Sequence, residues 1–64
     1  MSRYAIMKRK KGVRRAYTDG YFSYDLEYMT KAARELADSG EYSMVNVIDA
    51  DTGRKIESFT PSEQ

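Results

Sequence analysis

Two hydrophobic rhythms divide the chain. In RYAIMKR (3–9) Tyr4 and Ile6 fall on one side and Ala5 and Met7 on the other, the period of two that marks a strand. Lys10, Lys11 and Gly12 then read as a turn, and VRRAYT (13–18) as the returning strand of a β-hairpin. Asp19 and Gly20 form a second turn signal, after which YFS extends the sheet briefly.

From Ser23 the spacing lengthens. Leu26, Met29, Ala32, Ala33, Leu36 and Ala37 recur at three- and four-residue steps, a single apolar stripe on a helix. Ser23 is the expected N-cap, with Asp25 and Glu27 favourable beside the positive end of the helix dipole. Glu27 with Lys31 and Arg34 with Asp38 are i,i+4 pairs, and Gly40 stands where a left-handed residue would end the helix. The period of two returns in YSMVNVID (42–49) and RKIESF (54–59), joined by ADTG, whose Gly53 suits a turn closing in a glycine bulge.

The order ββαββ predicts an α+β fold: a four-stranded, mainly antiparallel sheet with one helix packed on one face. Residues 1–64 read as one small domain without repeats or linkers, with 1–2 and 60–64 as loose termini. One helix covers only one face, yet the strands carry apolar side chains on both. Either Tyr42, Met44 and Ile48 or Val45 and Val47 are left as an association face, and a slip of one residue exchanges the sets. Such a face predicts a homodimer or comparable complex.

Composition sharpens this. A chain of 64 residues buries only about 60% of the surface of its unfolded form, so its core alone supplies little stability. Without cysteine or histidine it has neither disulfides nor the ligands that zinc and most transition metals require, which leaves association as the remaining support. The same absence removes Cys and His nucleophiles and bases, and no pair of carboxylates, tyrosines or lysines stands at a recognisable catalytic spacing. The expectation is a protein that is not an enzyme, with no cofactor and no small-molecule substrate. DADTG (49–53) opens like a calcium loop, but its later ligand positions hold Gly53, Arg54 and Thr60, so a plain turn is expected and no metal. No apolar run spans a membrane and none follows the basic N-terminal segment, so a cytoplasmic protein is expected.

Charge is segregated. Residues 1–15 hold seven cations and no acid, net +7; residues 16–64 hold four cations and ten acids, net −6. Lys8, Arg9, Lys10, Lys11, Arg14 and Arg15, followed by Tyr17, form a basic hairpin suited to phosphate, entering a groove as a two-stranded ribbon. Tyr4, Tyr17 and Tyr21 are candidate stacking platforms for unpaired bases, whereas Tyr28 and Tyr42 read as rim-of-core residues and Tyr24 is left open. The same cations suit an acidic protein surface, or pair internally with Asp25, Glu27, Glu35 or Asp38. KRKK also matches a nuclear-localisation pattern. The expected function is therefore binding, to nucleic acid or to an acidic protein.

No motif carries a family likeness. In element order alone the chain resembles several groups of small ββαββ proteins, including uncharacterised bacterial domains and short phage-encoded inhibitors of the anti-CRISPR type. It also looks like the arm-binding domains of tyrosine recombinases, which use a three-stranded sheet. The layout thus implies either a nucleic-acid reader or an inhibitor that docks on a host or defence protein, and it assigns no residues.

Overall fold

The computed structural model describes residues 2–18 and 20–59. Asp19 of the second turn, Met1 and the tail from Thr60 lie outside the described residues. The elements are β1 (Tyr4–Lys10), β2 (Tyr17–Thr18), α1 (Leu26–Asp38), β3 (Tyr42–Asp49) and β4 (Lys55–Phe59). They form the α+β ββαββ arrangement: a four-stranded antiparallel sheet in the order β2-β1-β3-β4 with α1 packed against it. No helix among the described residues is long and apolar enough to cross a membrane.

The core follows from the register of the two central strands. Ile6 pairs with Val47 and Lys8 with Val45, so these four side chains share the face that α1 covers. The helix lays Met29, Ala33 and Ala37 onto Ile6, Val45 and Val47, and Met29, Val45 and Val47 are fully buried. Alanines at two of the three buried helix positions let the helix backbone approach the sheet, while the single methionine fills the space between them. Tyr4, Ala32, Leu36 and Phe59 close the edges of this cluster.

The helix starts later than its sequence suggests. Asp25, not Ser23, is the N-cap: its Oδ1 accepts the Tyr28 N–H at 3.1 Å, and the Ser23 hydroxyl instead accepts the Asp25 N–H at 3.1 Å. Ser23 is drawn away because its backbone is paired with Tyr4, donating and accepting at 3.1 and 2.8 Å. A residue extended in a bridge cannot also begin a helix. At the other end Gly40, at φ +83°, takes the left-handed conformation that stops α1.

Strand β2 is also shorter than expected. Only Tyr17 and Thr18 pair with β1, against Lys8 and Met7, so residues 13–16 do not form a returning strand. Beyond Lys8, β1 continues with β3 as its only described partner, reaching Lys10 opposite Tyr42 and a bond from the Lys11 N–H to the Glu41 carbonyl at 3.1 Å. The turn itself forms as read, with the Val13 N–H on the Lys10 carbonyl at 3.1 Å and Gly12 at φ +80°.

Two bulges decide the sheet faces. Arg9 faces Met44 and Lys10 faces Tyr42, which leaves Ser43 as an extra residue in β3. The bulge turns Tyr42 onto the helix side, where it is 8% exposed among the core residues. The two expected sets divide differently: Val45 and Val47 stay together beneath the helix, where Tyr42 joins them, and Met44 and Ile48 are left on the open face. A second register shift, between Val47 and Ile48, sets Ile56 as the extra residue of β4.

Because Met29 is the one large side chain that α1 drives into the sheet, Met29→Ala is expected to cost about 2–5 kcal/mol. Urea denaturation followed by circular dichroism should show a midpoint well below that of the parent chain. An exposed control on the same helix, Glu35→Ala, should shift it little.

Candidate nucleic-acid interface

The expected basic hairpin resolves into three environments. Lys8 points under the helix: it is 8% exposed, and its ammonium lies 5.7 Å from the centre of the Tyr17 ring and 5.4 Å from that of Tyr42. A desolvated cation between two ring faces gains about 0.5–2 kcal/mol from each. Lys8 therefore fastens the short strand β2 to the core and is not presented to a ligand. Alternation places Arg9 on the opposite side of the sheet, half-buried, its Nε–H donating to the Ser43 hydroxyl at 3.1 Å.

The remaining four cations are presented outward. Lys10, Lys11, Arg14 and Arg15 are exposed at the end of β1 and in the loop of residues 11–16, which contains no acid. Among the described residues none of the four makes an ion pair, and Asp25, Glu27, Glu35 and Asp38 do not engage them. Val13, 46% exposed, gives this loop an apolar point between its cations. With only two paired residues in β2, the loop is not the two-stranded ribbon expected to enter a groove.

The tyrosines do not gather at these cations. Tyr4 packs at the core edge, Tyr17 lies against Lys8, and Tyr21 belongs to the opposite end of the sheet. Six residue steps along β1 separate the Ser23 bridge at Tyr4 from Lys10, roughly 20 Å at the usual strand rise. At that far end Tyr21, Phe22, Tyr24 and Tyr28 are all exposed; Tyr21 was singled out in sequence, but its company with Phe22, Tyr24 and Tyr28 was not, although YFSY before a helix was a visible signal. Tyr28 is 51% exposed and so is not a rim-of-core residue. A hydrogen bond with Tyr28 pushes the Tyr21 phenol above its ordinary pKa.

The same end carries the one ion pair present among the described residues. Arg3 reaches Asp51 at 2.6 and 3.1 Å and places its guanidinium 5.2 Å from the centre of the Phe22 ring. Asp49 Oδ1 accepts the N–H groups of Asp51 and Thr52 at 2.9 and 3.4 Å. The carboxylates of DADTG are thus occupied in shaping the turn and holding Arg3.

The open face of the sheet was the least legible region. Register places Ala5 with Ile48, Met7 with Asn46, Arg9 with Met44, Asn46 with Ser58, and Ile48 with Lys55 on the side away from α1. Asn46 sits at the middle of this face. Its Oδ1 is buried without a hydrogen-bond partner, and its Nδ2 has only the Met44 thioether at 3.5 Å. An amide oxygen shut away without a donor costs about 1–3 kcal/mol.

No family model matches the chain, and no curated protein or solved structure is significantly similar to it.

Two outcomes follow from this geometry. The Arg3 guanidinium holds the Asp51 carboxyl below the ordinary carboxylate range, chiefly through their hydrogen bond. A depressed folded pKa adds stability above the unfolded value, about 4, and that stability is lost as the pH falls through the lowered value. Asp51→Asn should therefore lower the Tm slightly near neutrality, as befits an exposed pair, flatten the acid limb below about pH 4 and meet the parent curve at low pH. Separately, Lys8→Ser should lower the Tm measurably, whereas serine at Lys10 or Lys11 should leave it within the scatter of surface substitutions, about 0.5 kcal/mol.

Proposed function

We propose that the protein is a non-catalytic nucleic-acid-binding protein that grips the phosphate backbone with Lys10, Lys11, Arg14 and Arg15. The observation that carries this reading is a loop of four exposed cations without an acid in it and without an ion pair among the described residues. Cations held in water beside no counter-charge exchange their diffuse ions for phosphates readily, and the released ions drive the association. A loop that lacks ribbon or helix geometry offers no register for reading base edges in a major groove, so this contact is sequence-independent. The outer face of α1 supports the same assignment by contrast. Glu27, Glu35 and Asp38 there stand among Lys31 and Arg34, a mixed field with no preference for a polyanion.

Fluorescence anisotropy with random-sequence oligonucleotides tests the reading. If four phosphates are neutralised, the logarithm of affinity should fall with the logarithm of salt at a slope of about −3 to −4. Replacing Lys10, Lys11, Arg14 and Arg15 together by serine should bring binding close to background without moving the thermal melt. Full binding by that variant, or a parent chain that ignores nucleic acid and captures an acidic protein instead, would overturn the assignment.

A further inference from the structure

Resting on the phosphate-binding reading, we propose that the outer border of the sheet, from the cationic loop to the start of α1, carries a single strand of nucleic acid. Its phosphates lie on Lys10, Lys11, Arg14 and Arg15, and its unpaired bases stack on Tyr17, Tyr21, Phe22 and Tyr24. The rings then select single strands over duplex.

Topology lays these groups along one line. Strand β2 and the Ser23 bridge both pair with the outer side of β1, so the chain between loop and helix runs along the border of the sheet. Tyr17 stands opposite Lys8, two residue steps from Lys10, or about 7 Å along the strand. Tyr21, Phe22 and Tyr24 flank Ser23, which stands opposite Tyr4, roughly 20 Å from Lys10. Small single-strand binding folds cover about 4–16 nucleotides, and a strand within that range reaches from the loop past Tyr17 to the last ring.

The rings are exposed without being loose. All four are between 40% and 61% exposed, yet Tyr17 has the Lys8 ammonium 5.7 Å from its centre, Phe22 has the Arg3 guanidinium at 5.2 Å, and Tyr21 shares a hydrogen bond with Tyr28. Rings restrained in this way lose little freedom when a base stacks on them. Every base has a π-face, so stacking tolerates any sequence, as does a grip on phosphate. In a duplex those faces are already stacked on one another, and the rings gain a partner only from a strand whose bases are unpaired.

Charge decides the occupant. Residues 10–24 hold four cations and one acid, Asp19, which lies outside the described residues. At the far end Asp51 is paired with Arg3, and the Asp25 carboxylate caps α1. An apolar partner or a second copy seated on the rings would answer the aromatic half of this border and leave the cations to water. A single strand answers both halves at once, because its charge and its flat apolar rings alternate along one chain.

The experiment compares labelled oligo-dT with a duplex of equal phosphate count on the full chain, Tyr24→Ser, Tyr24→Phe, a double variant with serine at Tyr21 and Tyr24, and the fourfold loop variant. The full chain should bind oligo-dT more tightly than duplex. Tyr24→Ser is expected to lose about tenfold in oligo-dT affinity and the double variant more, whereas Tyr24→Phe, which keeps the ring, should bind as the parent does. Duplex affinity and the salt slope should not change in these three. Tyr24 is the most exposed of the rings, so the melts of its single variants should match that of the parent chain. The loop variant should lose both probes.

A full chain that binds oligo-dT no better than duplex, or serine variants that bind it as the parent does while the loop variant fails, overturns the stacking border and leaves the phosphate reading standing. A loop variant that binds both probes normally overturns the phosphate reading and this proposal with it. Sedimentation equilibrium on the parent chain and the double variant without nucleic acid separates the remaining occupant: a tight dimer that the double variant dissolves assigns the rings to a second copy and overturns the proposal.

Discussion

A single thirteen-residue helix must cover a sheet of four strands, and it has only one side to do so. The largest fully buried side chains therefore gather on one face, and the register of β1 against β3 achieves this by setting Ile6 across from Val47 and Lys8 across from Val45. Met29, Ala33 and Ala37 complete the layer. The arrangement leaves no freedom to slip, because a shift of one residue would carry Asn46 and Arg9 under the helix and Val45 and Val47 into water. The buried layer also explains why the chain tolerates a cation inside it. Lys8 arrives there by the same alternation as Ile6, and two tyrosine rings accept its ammonium where a methylene chain alone would have been stranded.

That constraint sorts the basic segment into separate roles. Successive residues of β1 must point to opposite sides, so Lys8 and Arg9 cannot share a surface however similar their chemistry. Beyond Lys10 the strand ends and alternation no longer applies. Lys11, Arg14 and Arg15 then stand in a loop where nothing described compels them inward. The topology also carries the loop to the end of the sheet farthest from the Arg3–Asp51 pair and the exposed tyrosines. The Arg3–Asp51 ion pair and the four exposed loop cations thus occupy opposite ends of one sheet.

How much of this was legible varies from residue to residue. The helix stripe from Leu26 to Ala37 and the strand 42–49 were plain, since each repeats its own period over several turns or pairs and tertiary contacts only reinforce it. The start of α1 was misread because Ser23 and Asp25 are both good caps, and the choice between them was made by a bridge from Ser23 to Tyr4, nineteen residues away in the chain. Tyr42 is the core residue its sequence suggested, but its grouping with Met44 and Ile48 on one face failed for a comparable reason. An extra residue in a strand leaves no mark in the alternation of side chains, and the bulge at Ser43 exists only because β1 pairs beside it. The loop cations were found, but their separation from Lys8 and Arg9 was not, since a run of like residues hides the point where a strand stops.

The amino-acid sequence by itself determined the order of elements, the apolar stripe that makes one helix, and the concentration of seven cations before residue 16, because each is a property of spacing or composition along the chain. Tertiary structure alone decided which side chains share a surface. Pairing register, two bulges and the early end of β2 placed Lys8 in the core, Arg9 and Asn46 on the open sheet, and four cations in water. Those placements depend on hydrogen bonds between residues distant in sequence, and local preference carries no information about them.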